Sequence, residues 1–274
     1  MLLKLNFVCY YLSVVLTVGG VLLSFIKLQK NPQDKRWSAY LVACLITFLC
    51  SALYGQVVLG LLMKINLGRL DSYAFAFDRI LGQPSFVVGR LLHKLPWLNL
   101  AVRFAYMFIY PSMVITFSWF FLTQTYEEAV GVLKAMMLAP LGVLVYLVIP
   151  VAGPAYLFPG FPFDMEHRAS MQFVAAHAPN GVPSGHFTMA LLLAYFWRRW
   201  WLSRILSTVN LILMFCATLG TGEHYAFDLL AALPFAAFLL YVSDEAFTLK
   251  WNAWFARLSP SRRQETSNDR VSAV

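Results

Sequence analysis

A chain of 274 residues that is 60% hydrophobic and 12% charged, with mean hydropathy +0.66, is too apolar for a soluble domain of ordinary composition. Its net charge of +8 and isoelectric point near 9.4 do not call for nucleic acid, because an anionic membrane surface attracts the same basic loops. Four cysteines (Cys9, Cys44, Cys50, Cys216) lie in apolar runs without metal-ligand spacing and read as small packing residues.

The fold class that follows is an all-α, polytopic membrane helix bundle. A span needs about 20 mainly apolar residues. In chain order the candidate runs fall at 5–26, 38–62, 99–122, 132–152, 186–201, 203–221 and 224–243, predicting six or seven helices. The first run is too long for a signal-peptide core and lacks a small-residue cleavage site, so it is expected to stay as a helix. The chain divides into N-terminal transmembrane helices over 1–64, an amphipathic interfacial segment over 65–98, a catalytic transmembrane core over 99–245 and a cytoplasmic tail over 246–274. The interfacial segment mixes Leu, Phe, Ile and Val with Arg69, Arg79, Arg90 and Lys94 at spacings that suit a pair of helices lying on the membrane. Past Leu258 the tail, "SPSRRQETSNDR", has the composition of a disordered segment.

Charge sets the expected orientation. "KLQKNPQDKRW" after the first span and "RRWWLSR" after the fifth are expected to face the cytoplasm. The interfacial segment, the 153–185 loop and the "TGEH" turn then share the non-cytoplasmic face of an inner or plasma membrane. Two tensions come with this reading. The interfacial segment is itself basic, and seven spans would put the termini on opposite sides.

Two stretches carry chemistry. "NGVPSGHFT" turns into a helix at His186, and "TGEHYAFD" puts His224 and Asp228 at i and i+4 on one helical face. One span inward and one back separate the two histidines, so both reach the same membrane face. Ser184 and Gly185, opening a helix after Pro183, offer backbone N–H groups and a positive helix end to an anion there. This set suits phosphoryl transfer through a covalent intermediate. His224 attacks phosphorus, Asp228 fixes its tautomer, and His186 protonates the departing oxygen and then activates the acceptor, an alcohol or water. An aspartate at a membrane helix end is costly without such a partner. No metal and no cofactor are expected.

At these residues the sequence resembles the type 2 phosphatidic acid phosphatase superfamily, whose second motif is similar to "PSGH" and whose third ends in His-x-x-x-Asp, here "HYAFD". In "SGHFT" and "EHYAFDLLAA" it is closer to the head-group transferase branch, the inositol phosphorylceramide and sphingomyelin synthases. The resemblance runs from the interfacial segment to the last span and implies a six-helix catalytic core with nucleophile His224, orienter Asp228 and acid/base His186. Two departures matter. Ala217 and Thr218 stand where the phosphatases carry Ser-Arg, and the first phosphatase motif, Lys, six residues, Arg-Pro, survives only in outline as "RFAYMFIYP", with Tyr110 in the arginine's place. Both favour the transferase branch. They leave Arg103 and Arg168 as candidates to meet phosphate. "VIPVAGPAYLFPGFP", rich in proline and glycine, reads as a rigid loop over the site or as a mere connector.

Three readings stay open: an inositolphosphotransferase-like enzyme on a lipid donor, a phosphatase acting on phosphatidic acid or a polyprenyl diphosphate, and a non-catalytic membrane protein with a vestigial site. Ionisable residues concentrated on one face argue against a transport path.

Overall fold

The computed structural model describes residues 2–258 except 32, 54–58, 65–69, 171, 173, 175, 176 and 178. The tail expected to be disordered, Arg69 and part of the 38–62 run lie outside the described residues. Helices α1 (Leu2–Lys30) and α2 (Lys35–Leu53) form an antiparallel pair, followed by the short α3 (Leu59–Lys64). The interfacial segment forms α4 (Asp71–Ile80) and α5 (Pro84–Lys94). The bundle proper then contains α6 (Pro96–Thr123), α7 (Tyr126–Leu138) continuing through a 3₁₀ turn into α8 (Val143–Val148), α10 (Gly185–Phe196), α11 (Trp201–Gly220) and α12 (Ala226–Ser243). A single turn, α9 (Pro154–Leu157), sits in the long loop, and α13 (Glu245–Leu258) follows the last span.

Five helical stretches are long and apolar enough to cross a membrane: Tyr11–Lys30, Pro96–Thr123, Tyr126–Val148, Trp201–Gly220 and Ala226–Ser243. Among the described residues the only strand-like feature is one parallel bridge, Val151 to Asn180. The protein is an all-α polytopic bundle.

Three boundaries differ from expectation. The run predicted at 132–152 begins at Tyr126, because Thr125 and Glu128 form a reciprocal capping box, and it ends at Val148, just before Pro150. The run predicted at 186–201 is α helix only to Phe196 and ends in a 3₁₀ turn at Trp197–Arg199. Its 12 α-helical residues rise about 18 Å, short of a hydrocarbon core of about 30 Å. The short helix is tolerated because α6, α7, α11 and α12 surround it and bury Ala190, Leu192, Leu193 and Phe196. Finally, the expected tail over 246–274 is helical as far as Leu258, with Phe247 packed on Tyr195.

The two ends of the bundle are tied together by different contacts. Arg36 donates from Nε to the Phe121 carbonyl and from Nη2 to the Gln124 carbonyl, each at 2.5 Å, satisfying acceptors that the α6 C-terminus leaves open. Arg199 meets Glu128 at 3.0 Å at the same end. Both basic turns are therefore neighbours. The opposite end holds the interfacial helices, the long loop and the turn before α12. There Leu70 N–H donates to Pro150 O at 3.0 Å, and Asp71 Oδ1 accepts the N–H groups of Ala152 and Gly153 at 2.9 and 3.3 Å. Phe75, Phe86, Phe158, Val151, Val182 and Tyr225 form a separate small core beneath that loop.

The interfacial pair turns two carboxylates inward. At helical spacing, Asp71, Phe75, Asp78, Ser85, Phe86 and Gly89 face inward, whereas Tyr73, Ile80, Val87 and Leu91 are exposed. Large apolar side chains exposed together with Arg79, His93 and Lys94 suit a segment at the membrane surface.

Candidate active site

The turn "TGEH" ends α11 and starts α12. Gly222 has φ +77°, a conformation that L side chains rarely adopt, and a Cβ there would press on Ala155 at 2.6 Å. His224 N–H then donates to Thr218 O at 3.1 Å, which folds the histidine back over the end of α11. Tyr225 is the N-cap residue of α12 and Asp228 its third residue. Asp228 Oδ2 accepts the Tyr225 N–H at 2.9 Å and lies 3.2 Å from His224 Nδ1. Both side chains are deeply buried, His224 at 5% and Asp228 at 0% exposure. With Asp228 ionised, its carboxylate only accepts, and the contact then requires the proton on Nδ1 and leaves the Nε2 lone pair free. The helix dipole favours an anion in this first turn.

His186 opens α10. Ser184, its N-cap, accepts the Phe187 N–H at 3.4 Å, and the Ser184 N–H donates to Asp228 O at 3.2 Å. That second bond joins the starts of α10 and α12. Gly181 belongs to the same junction, since a Cβ there would stand 2.7 Å from Val151 O and 3.1 Å from Asp228 Oδ2. Gly185 is exposed at the helix mouth. His186 and His224 are near enough to interact electrostatically. The structure thus brings Ser184, Gly185, His186, His224 and Asp228 to one place.

The two arginines are placed less simply. Arg103 lies on α6 one turn before Tyr106 and donates from Nε to Asn99 Oδ1 at 2.7 Å. Arg168 is exposed, its guanidinium 5.6 Å from the Phe75 ring and 6.0 Å from the Phe158 ring, on the side of the loop that faces Tyr225.

Sequence reasoning missed the partners of His186. Tyr106 stacks on its ring, and the Tyr110 hydroxyl lies 3.3 Å from its Nε2. The signal was present. Arg103, Tyr106 and Tyr110 share one face of α6, and Tyr110 fills the arginine position in the outline "RFAYMFIYP". A tyrosine at that position carries no charge, so its role as a partner of His186 shows only in the fold. Also missed was Glu223, whose Oε2 accepts the Tyr156 hydroxyl at 2.7 Å beside the histidine turn. Among the described residues, no group of three His, Cys, Asp or Glu side chains is arranged to hold a metal.

A histidine held by a carboxylate, next to a second imidazole at a helix N-terminus, is an arrangement able to form and discharge a phosphoryl-enzyme. Comparison with curated proteins and with solved structures returns no match. A family model described as the PAP2 superfamily matches residues 75–242, more than half of the chain, from α4 to the end of α12 and across every residue of this cluster, and the chain belongs to that superfamily.

Proposed function

We propose that the protein is a lipid head-group phosphotransferase, similar in reaction to the inositolphosphotransferases, working through a phosphohistidine at His224. Membership of the superfamily supports phosphatase or phosphotransferase chemistry. The observation that carries the residue roles is the His224 Nδ1 contact with Asp228 Oδ2 at 3.2 Å. With Nδ1 protonated and held, Nε2 attacks phosphorus, and the bond to the leaving oxygen breaks as that oxygen takes the proton of His186. Asp228 stabilises the positive charge that develops on the ring. In the second half, neutral His186 removes the proton of the acceptor hydroxyl, whose oxygen attacks phosphorus and frees His224 Nε2. Backbone N–H groups at Gly185 and His186 receive the phosphoryl oxygens at the positive end of α10. Arg103 and Arg168 contribute positive charge to the approach of the lipid phosphate.

A phosphodiester donor is favoured over a monoester by the charge of the pocket. Thr218 and Tyr110 replace two arginines of the phosphatase motifs, and a pocket with fewer cations suits the single negative charge of a phosphodiester better than the double charge of a monoester. The site is proposed to face the non-cytoplasmic side, because the basic turns around Arg36 and Arg199 occupy the opposite end of the bundle.

The test is incubation of the purified protein with phospholipids labelled in the head-group phosphate, with and without inositol, ceramide or diacylglycerol, followed by lipid separation. A labelled product that requires the added alcohol supports the reading. Free phosphate as the sole labelled product replaces it with a phosphatase.

A further inference from the structure

The nucleophile's turn is held from outside the bundle, by the two interfacial helices. α5 reaches it through a close crossing with the end of α11. A Cβ on Gly89 would stand 3.2 Å from Gly220 O, and a Cβ on Gly220 would press into Val88 at 2.9 Å. This approach places Ser85, fully buried, with its hydroxyl 3.2 Å from the carbonyl oxygen of His224 and 2.8 Å from Asp78 Oδ2. Asp78 Oδ1 accepts the N–H of Ala226 at 2.8 Å. Ala226 is the first residue of α12, so its N–H is one of the donors that a helix start leaves open, and Asp78 caps it from 148 residues away. The peptide groups on both sides of Tyr225 are therefore gripped by α4 and α5.

We infer that Asp78 and Ser85 are positioning residues for His224, holding the backbone at 224–226 so that the imidazole keeps its line to the phosphorus; this rests on His224 being the nucleophile. Neither side chain needs to touch substrate. Burial is costly for a carboxylate, and it pushes the Asp78 carboxyl up to about 6 against the opposing effect of the Ser85 hydroxyl and the Ala226 and Phe227 N–H groups. A fold that retains such a group at 0% exposure uses it for the hydrogen bonds it accepts. Loss of the grip moves the ring by a fraction of its own width, and misplacement on the order of 1 Å costs about a hundredfold in rate.

The experiment compares full-length wild type with D78A, S85A, the double variant D78A/S85A, D78N and H224A in mixed micelles, on the donor and acceptor that give turnover. Folded protein is isolated by size exclusion before assay. The expected result is a fall in kcat of about 10- to 100-fold in D78A and in S85A with KM changed less than about twofold. The double variant should be no slower than the slower single variant, because the two act as one unit. D78N keeps an oxygen for Ala226 and should return kcat to within about threefold of wild type, a recovery that loss of general packing would not produce. If D78A yields no folded protein, S85A and D78N decide. Wild-type kcat in S85A, or a loss confined to KM or to folded yield, overturns the inference while an inactive H224A leaves the nucleophile in place. Wild-type turnover in H224A overturns the nucleophile assignment, and the inference with it.

Discussion

Tyr106 lies flat on His186, the ring centres 3.8 Å apart and the planes within 12° of parallel. Tyr110 meets the same imidazole edge-on, and its hydroxyl reaches Nε2. Both tyrosines come from α6, while the histidine starts α10, so the orientation of the proposed acid/base is set by a different helix from the one that carries it.

That clamp predicts a graded series. Tyr106→Phe keeps the stack and should retain most activity, whereas Tyr106→Leu should lose up to about tenfold in kcat, the value of an aromatic pair worth about 0.5–1.5 kcal/mol. Tyr110→Phe removes the hydroxyl beside Nε2 and should shift the pH dependence of kcat without altering the lipid's KM. Equal kcat in Tyr106→Phe and Tyr106→Leu would show that the stack does not orient the ring.

Asp78 predicts a pH dependence of stability. Its folded carboxyl titrates near 6, above the ordinary 3.8, because burial disfavours the charged form. The folded state therefore holds a proton that the unfolded state has released, and the associated stability is present below about pH 4 and lost as pH rises through about 6. The full difference is on the order of 3 kcal/mol. Asp78→Asn carries no such titration. Its melting temperature relative to wild type should climb between pH 4.5 and pH 7.5, and an offset that stays constant across that range would contradict the buried charge.

How far could these features be read from the chain alone? Spans and the interfacial pair are local, so hydropathy and spacing reveal them. The His224 contact with Asp228 and the Ser184 cap on Phe187 are nearly local too, each fixed by the first turn of a helix. Asp78 is different. On an amphipathic helix beside Arg79 it looks like a solvated surface charge, and only its partner, the N–H of Ala226, shows it to be a cap. Tyr110 stands in the outline of a motif that calls for a cation there, and only its contact with His186 Nε2 shows what an uncharged hydroxyl does at that position. The early end of α10 was invisible for another reason: a short helix is acceptable only when neighbours cover its ends, as when Trp197 Nε1 donates to Thr116 Oγ1 on α6 at 2.8 Å.

Sidedness is testable with cysteines, but not at the glycines of the site, since Gly181 and Gly222 have no room for a side chain. Glu166 is exposed in the long loop and Arg199 is exposed at the other end. An impermeant thiol reagent applied to intact cells should label E166C, and should label R199C only after permeabilisation, above the background of the native cysteines. Labelling of R199C in intact cells with protection of E166C would invert the proposed orientation.

The last prediction separates the two histidines by role. If His186 protonates the leaving oxygen, a donor with a good leaving group, such as a nitrophenyl phosphodiester, needs little of that help as its bond breaks. His186→Ala should then lose much less activity on the activated donor than on a natural lipid. His224→Ala should lose both equally, because neither donor can form the phosphoenzyme without the Nε2 that Asp228 holds ready. The gap between the losses of His186→Ala on the two donors measures how much of the barrier leaving-group protonation removes, at about 1.4 kcal/mol per tenfold. A gap on the order of two decades is expected, within the usual range for general acid catalysis. Should His186→Ala be as inactive on the nitrophenyl donor as on the lipid, leaving-group protonation is not its task. Its position at the mouth of α10 would then assign it to holding the phosphoryl oxygens or to activating the acceptor in the second half of the reaction.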